Sequence, residues 1–267
     1  MSERLDVLTN ARSARVGRVA GLSRRSARQR HRQFLVEGPQ PVRELVTHSP
    51  GLVRDLYVSD SASVRERDTL SRARAAGLFL HRVSAEVAAA MSADAQGILA
   101  VADIPATPGL DVLDAARLVV LLPHIADPGN AGTLIRIADA AGADAVMVCR
   151  GGVEVTSPKV VRASAGSLFH LPVVTGVSFD DAVAAAASAG LQVIGADAGA
   201  PTSVFTLGRR LARPTAWVFG NEAHGLAAGE AGRCDLLAAI PIHGHAESLN
   251  VAAAAAVCLY ASAEALR

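Results

Sequence analysis

The sequence predicts an α/β protein of two domains, the second of them built on a parallel sheet. Apolar residues make up 51% of the 267 residues but aromatic residues only 3%, so Ala, Val and Leu must fill the core, as suits helices packed on a parallel sheet. Short and almost wholly apolar runs alternate with Ala-rich helical segments, which is typical of strands buried on both faces. Two prolines and a glycine lie between Ile104 and Leu110, which indicates a domain boundary there.

The first domain, residues 29–105, is expected to be a small α/β sandwich in the order βαβαβαβ. Ser84 is expected to cap its third helix. A linker is expected at residues 106–115. The predicted strands cover residues 34–38, 53–58, 79–83 and 99–104, and the predicted helices cover residues 41–46, 63–77 and 84–91.

The second domain, residues 116–267, is expected to alternate strands with helices. Because ligands of parallel sheets bind beyond the carboxyl ends of the strands, the loops at those ends are the candidate site. The predicted strands cover residues 117–122, 145–149, 173–174, 191–195, 216–219 and 237–241, and the predicted helices cover residues 131–141, 157–165, 180–188 and 249–266.

Charge is concentrated at the N-terminus, although the net charge of the chain is only +1. Eight arginines and no acidic residue lie between Arg12 and Arg32. Arginine makes paired hydrogen bonds to phosphate and stacks on bases. Residues 1–28 are therefore interpreted as a basic arm that contacts phosphate, with a solvated, frayed helix as the alternative. The candidate contacts in and just after this arm are Arg24, Arg25, Arg28, Arg30 and Arg32.

Several classes of protein are excluded by what the sequence lacks. Its three cysteines show no metal-binding spacing and fit a reducing, cytoplasmic compartment. The most apolar stretch, residues 251–259, is too short to span a bilayer, and no signal peptide is found. His243 and His245 alternate on one loop but lack a third ligand, so no metal is expected. Neither the dinucleotide-binding fingerprint nor a phosphate loop is present.

Three polar runs follow predicted strands of the second domain. The first is Asp-Pro-Gly-Asn-Ala-Gly-Thr-Leu-Ile-Arg, residues 127–136. In it Asn130 is interpreted either as a helix cap or as a functional amide. Arg136 follows on the next turns and is suited to phosphate.

The second run places Gly220, Asn221 and Glu222 after a buried strand, and the third places Glu247-Ser-Leu-Asn250 before the last helix. Gly220 permits close approach of the backbone to a ligand. Capping explains Ser248 or Asn250, but not both together with Glu247. A further polar segment carries Lys159 and Arg162 on one helix face, which indicates either a solvated face or an RNA contact.

Taken together and in order, these runs resemble the three signature motifs of the SpoU (TrmH) branch of the SPOUT RNA methyltransferases. The resemblance rests on N-x-G-x-x-x-R, then FGNExxGL, then IPI with ESLNV, and it covers residues 116–267. Phe-Leu-Val-Glu-Gly-Pro at residues 34–39 resembles the opening of an N-terminal RNA-recognition domain of that family, akin to kink-turn-binding ribosomal proteins. The His-Gly-His sequence at residues 243–245 departs from the family pattern.

The resemblance implies an S-adenosylmethionine-dependent RNA 2′-O-ribose methyltransferase, a deep trefoil knot in the C-terminal domain and a homodimer through that domain. By its motifs, Asn130, Arg136, Glu222 and Asn250 match catalytic positions. The implied donor-binding positions are Leu121, Gly220, Asn221, Ile240, Ile242, Ser248 and Leu249. The implied RNA contacts beyond the basic arm are Glu37, Gly38, Lys159 and Arg162.

Ribosomal RNA of the large subunit is the expected substrate, with transfer RNA as the alternative. Two other functions are weighed. One is a catalytically silent RNA-binding or ribosome-assembly factor, which the intact motif residues disfavour. The other is a nucleotide-using α/β enzyme unrelated to RNA, which the missing phosphate-binding motifs disfavour.

Overall fold

The computed structural model describes residues 7–221 and 224–267, and the chain divides into two compact units. The first unit is Met1–Ala106 with Val155–Phe169, and the second is Thr107–Glu154 with His170–Arg267. The sequence predicts residues 155–169 in the second domain. Their contacts lie in the first unit because Val161, Leu168 and Phe169 pack into its hydrophobic core.

The first unit combines helices and strands in its described residues, and two of its helices lie in or overlap the basic N-terminal stretch. Its helices are α1 (Ala14–Gly21), α2 (Arg25–His31), α3 (Pro39–His48), α4 (Asp60–Arg65), α5 (Arg67–Ala75), α6 (Ala85–Met91) and α8 (Pro158–Ala163). Its strands are β1 (Gln33–Glu37), β2 (Val53–Ser59), β3 (Leu80–Val83) and β4 (Ile98–Asp103).

The four strands form one mixed sheet in the order β1-β4-β2-β3. β4 is antiparallel to both β1 and β2, while β2 and β3 are parallel. The predicted order of strands and helices is confirmed, and the Ser84 hydroxyl caps α6 by accepting a hydrogen bond from the Val87 N–H. The single helix predicted over 63–77 is wrong, because the chain forms α4 and α5 with a break at Glu66.

The basic N-terminal stretch is folded onto the first sheet. Val16, Val19 and Leu22 recur at helical spacing and are buried in the core on one sheet face, which anchors α1 by hydrophobic burial. The interpretation of residues 1–28 as a separate arm is therefore wrong for its described part. Its arginines remain exposed except Arg28, which is 3% exposed.

The second unit carries six strands and four helices in its described residues. The strands are β5 (Leu118–Leu122), β6 (Ala145–Val148), β7 (Val173–Thr175), β8 (Gln192–Ala196), β9 (Thr215–Phe219) and β10 (Leu236–Ala238). The helices are α7 (Pro128–Ala140), α9 (Phe179–Ser188), α10 (Ala228–Ala231) and α11 (Val251–Ala265). Leu113, in the expected linker, is buried in this unit's core.

The six strands form one sheet in the order β10-β8-β9-β5-β6-β7, and every pairing is parallel. β5 and β9 are buried along their whole length, as expected for central strands covered on both faces. The indole N–H of Trp217 on β9 donates to the Ser262 hydroxyl at 2.8 Å. This bond fixes α11 on the sheet and satisfies two buried polar groups.

Among the described residues, no helix combines the length and the apolar character that a membrane crossing requires.

Candidate active site

A cavity of about 380 Å³ opens at the carboxyl edge of the second sheet, where β8, β9 and β10 end and α11 begins. This volume is in the range of small-molecule sites. Residues from the second and third polar runs line it together. The lining includes Gly220, Asn221, Ile240, Ile242, Ser248 and Leu249, six of the seven predicted donor-binding residues.

Leu121 is the exception among those seven. It is completely buried on the central strand β5, within the hydrophobic core of the sheet. Its side chain does not line the cavity, so the expectation for this residue is corrected to a packing role.

Gly220 shapes the cavity wall because no other residue fits there. A Cβ at this position would lie 2.2 Å from the carbonyl carbon of Gly225. Asn221 and Gly225 exchange two backbone hydrogen bonds of 2.9 Å, which bring the two ends of the loop together. Asn221 and Gly225 are therefore held together by their backbones, and both line the cavity.

The charge of the cavity is negative. Asp197 and Glu247 line it, and no described lining residue is lysine or arginine. Asp197 was not singled out from the sequence. It follows the apolar strand β8 directly, so the rule that ligands lie beyond strand ends could have identified it. An acidic lining attracts a cationic ligand and repels phosphate.

Asn130 and Asn250 connect the first polar run to the third. The Asn250 Oδ1 caps α11 by accepting from the Ala252 N–H at 2.9 Å. The Asn250 side-chain amide donates to the Asn130 Oδ1 at 3.2 Å. The predicted N-cap role of Asn130 is wrong: Asp127 is the cap, and its Oδ1 accepts from the Asn130 N–H at 2.8 Å.

Arg136 is exposed on α7 and makes no hydrogen bond or ion pair with another described residue. Six positions along a helix rotate its side chain about 120° away from that of Asn130. The structure therefore brings Asn130 to Asn250 but leaves the guanidinium of Arg136 facing solvent. Glu222, the remaining predicted catalytic residue, lies outside the described residues.

Polar contacts connect the residues after β9 with the loop that follows β5. The side-chain amide of Asn221 donates to the His124 carbonyl at 3.1 Å. The His124 Nε2 lies 3.2 Å from the Glu230 Oε1, and the Glu230 Oε2 accepts from the Ala227 N–H at 2.8 Å. Glu230 is 8% exposed, and its carboxylate lies between His124, before the first polar run, and the Ala227 N–H, after the second.

None of the three cysteines is suited to nucleophilic attack. Burial raises the pKa of Cys149 and of Cys258 to about 12. Burial, with smaller contributions from Asp235 and Glu230, raises the pKa of Cys234 to about 11. All three are neutral thiols at pH 7, and a thiolate is the reactive form.

Among the predicted RNA contacts of the first unit, Arg24, Arg25, Arg30, Arg32 and Lys159 are exposed. Arg28 is buried, and its guanidinium donates to the carbonyls of Leu22 and Ser23.

Glu37 is 2% exposed and forms an ion pair with Arg162, which also pairs with Asp94 at 3.0 Å. Gly38 is buried in a turn with φ of 91°, a conformation that glycine adopts readily. The expectation of direct RNA contact is therefore corrected to a structural role for Arg28, Glu37 and Gly38. Arg162 is interpreted as the ion-pair partner of Glu37.

The fold and the cavity define a class: a parallel α/β protein with an acidic, small-molecule-sized cavity beyond the carboxyl ends of its strands. The chain belongs to the SpoU rRNA Methylase family, whose model matches residues 117–260.

Similar proteins extend this match to almost the whole chain. The 23S rRNA (guanosine(2553)-2'-O)-methyltransferase RlmP of Bacillus subtilis is 33% identical over 95% of this chain and 97% of its own length. The 23S rRNA (uridine(2479)-2'-O)-methyltransferase of Streptomyces viridochromogenes is 34% identical over 90% of this chain and 85% of its own. The crystal structure of AviRb from the same organism in complex with AdoMet superimposes with a TM-score of 0.81, at 32% identity and with coverage of 94% and 98%.

Proposed function

We propose that the protein is an S-adenosylmethionine-dependent RNA methyltransferase that methylates a ribose 2′-hydroxyl, in 23S ribosomal RNA. The observation that carries the proposal is the acidic cavity closed by two of the three polar runs, in a chain of the SpoU rRNA Methylase family. Two relatives that match at least 90% of this chain are named for 23S rRNA 2′-O-methylation. A cytoplasmic location is part of the proposal, supported by the relatives named for modification of 23S rRNA.

The cavity suits the methyl donor in its small-molecule volume and in its acidic lining. S-Adenosylmethionine carries a positive sulfonium and an ammonium group. The ribose hydroxyl oxygen would attack its methyl carbon, and the carbon–sulfur bond would break to release S-adenosylhomocysteine. Asp197 and Glu247 would attract these charges and accept hydrogen bonds from the ribose hydroxyls of the donor. The backbone around Gly220, Ile240 and Leu249 would hold the adenosine portion. A triphosphate ligand would instead call for basic residues, which the described lining lacks.

Arg136 is proposed to bind the phosphate beside the target ribose. Because arginine side chains in proteins do not give up their proton, Arg136 would orient and polarise the ribose hydroxyl rather than remove its proton. That proton would leave through the phosphate oxygen that Arg136 holds, or to water. Orientation of reacting groups alone can contribute roughly 7–11 kcal/mol, which makes positioning the main task of the site.

Asn130 and Asn250 are proposed to fix the start of α7 relative to the start of α11. Their hydrogen bond sets the helix that carries Arg136 against the segment that lines the donor cavity. Glu222 is proposed to act beside them, as the family motif implies. In this proposal Asn130 and Asn250 position the reacting groups, and Arg136 contacts the substrate.

The finer architecture follows the same proposal. The last segment is proposed to form a trefoil knot: β10 lies at one edge of the sheet beside β8, and α11 then returns to contact β5, β8 and β9. The first unit is proposed to be an RNA-recognition domain. A homodimer through the second unit is also proposed, and it is supported by the exposure of Leu249, just before α11, and of Tyr260, on α11. No metal is needed for the reaction.

Transfer of tritiated methyl groups tests the substrate. The purified protein and labelled donor are incubated separately with unmodified 23S rRNA, 16S rRNA and total transfer RNA. Label in 23S rRNA alone supports the proposal, and label in transfer RNA supports the alternative substrate. Calorimetric binding of the donor without transfer to any RNA would instead support a silent RNA-binding factor.

A further inference from the structure

Three aromatic rings contact one another at the edge strand of the first unit's sheet. Tyr57 on β2 and His81 on β3 stack with centroids 4.7 Å apart and an interplanar angle of 16°. Phe79, just before β3, meets His81 edge to face, also at 4.7 Å, with an angle of 63°. Because Tyr57 and His81 are register partners in a parallel pair, the backbone fixes these rings relative to each other.

Exposure rises along β3 toward Phe79. Alternate residues of a strand share one face, so Val83, His81 and Phe79 lie on the same side. Val83 is 1% exposed and Phe79 61% exposed, while the His81 side chain is 9% exposed. Phe79 is thus a rigidly backed ring that faces solvent, in a chain with only nine aromatic residues (6 Phe, 2 Tyr, 1 Trp).

Two arginines border these rings. Arg15 and Arg18 are exposed and lie one turn apart on α1. The Arg15 Nη1 lies 3.2 Å from the His81 Nδ1, and the His81 Nε2 lies 2.6 Å from the Asp55 Oδ1. Since guanidinium only donates, His81 Nδ1 must accept, and Nε2 carries the proton that is donated to Asp55. The His81 ring therefore lies between Arg15 and Asp55 and contacts both.

The Arg18 guanidinium is close to the same group of rings. Burial and then Asp55 raise the pKa of Tyr57 to about 12, and Arg15 and Arg18 both act in the opposite direction. Both arginines therefore lie near enough to act on the Tyr57 hydroxyl by their charge. Phe79, Arg15 and Arg18 are exposed beside the largely buried rings of Tyr57 and His81, and these five residues are called here the Phe79 platform.

We propose that the Phe79 platform binds an unpaired nucleotide of RNA, with the base stacked on Phe79 and the adjoining phosphates on Arg15 and Arg18. This inference rests on the proposed function, since it assumes an RNA substrate. Aromatic stacking flanked by cations is the common way to hold single-stranded RNA. Asp55 accepts from His81, and the two arginines outnumber this carboxylate, so the net charge of the cluster is positive.

Substitution of Phe79 tests the stacking. Binding to unmodified 23S rRNA is measured by filter retention for the wild type, Phe79→Ala, Phe79→Leu and Phe79→Trp. Phe205→Ala is the matched control, because Phe205 is 64% exposed and lies in the second unit. Loss of a stacked base is expected to weaken binding about tenfold in Phe79→Ala and by a similar factor in Phe79→Leu. Phe79→Trp and Phe205→Ala should bind like the wild type.

Two further readouts separate RNA binding from catalysis and folding. In methyl transfer, Phe79→Ala should raise the KM for RNA about tenfold and leave kcat unchanged. In Arg15→Gln/Arg18→Gln, the slope of log K against log salt should fall by about 1.4, because about 0.7 is lost per phosphate contact on a single strand. Unchanged thermal midpoints for the variants would show that the first unit remains folded.

Three results would overturn the proposed RNA contact of the Phe79 platform. Wild-type affinity in Phe79→Ala, with normal binding by the unsubstituted protein, overturns the platform and leaves the proposed function intact. Wild-type affinity in Phe79→Leu but not in Phe79→Ala also overturns it, since an apolar contact without stacking indicates a protein partner. Failure of the wild type both to bind and to methylate RNA overturns the proposed function together with the platform.

Discussion

Replacement of Gly220 by alanine should open the donor cavity. The added Cβ would lie 2.2 Å from the Gly225 carbonyl carbon and 2.3 Å from its oxygen, whereas carbon atoms in contact are separated by about 3.5 Å. The neighbour is backbone held by two hydrogen bonds, so the loop must move by about 1 Å. Such overpacking costs about 1–3 kcal/mol, which corresponds to a factor of roughly 5 to 150 in an equilibrium constant.

Because the loop that must move lines the cavity, most of this effect should appear in donor binding. Isothermal titration calorimetry of Gly220→Ala with S-adenosylmethionine should give a Kd at least tenfold above that of the wild type. Gly229→Ala is the control: an added Cβ meets nothing within 4 Å there, and alanine is favoured over glycine in a helix. A wild-type Kd in Gly220→Ala would refute the assignment of this wall to the donor site.

Other substitutions test the remaining parts of the site. Asn250→Ala should lower the free energy of unfolding by about 2 kcal/mol in urea titrations, because a helix cap and a side-chain hydrogen bond are both lost, and Asn250→Ser, which restores only the cap, should recover about half; full recovery in Asn250→Ser would exclude a contribution from the bond to Asn130. Glu230→Ala should raise the donor Kd about tenfold, while Glu230→Gln, which still accepts from the Ala227 N–H, should raise it less. Iodoacetamide at pH 7 should leave methyl transfer intact, since the buried thiols are protonated; rapid inactivation would contradict this.

Much of the fold follows from local sequence patterns. The apolar run of β5 and the sequence around β9 predict buried parallel strands, and both are buried throughout. Ser84 is a correct cap because Ser followed by an apolar helical pattern is a strong local signal. Asn130 is not a cap because Asp127 precedes it with Pro128 at the first helical position, a combination typical of a helix start.

Other features depend on contacts that no local pattern reveals. The hydrogen bond between Asn130 and Asn250 joins residues 120 positions apart. The high charge of the N-terminal stretch favours a solvated segment, whereas the helical spacing of Val16, Val19 and Leu22 favours a packed helix. These three residues anchor α1 in the core. Arg28 lies in a basic stretch typical of an RNA contact, but its side chain is buried. Its guanidinium donates to carbonyls at the end of α1. Exposure of an arginine is decided by packing and cannot be inferred from its neighbours in sequence.

The position of the transferred methyl group tests the central claim most directly. After reaction of 23S rRNA with tritiated S-adenosylmethionine, the RNA is hydrolysed in alkali, which requires a free 2′-hydroxyl. The account predicts tritium in an alkali-resistant dinucleotide when the wild type is used. It predicts none with Arg136→Ala, although that variant should bind the donor normally. Tritium released in mononucleotides would indicate methylation of a base, and full labelling by Arg136→Ala would remove Arg136 from the reaction.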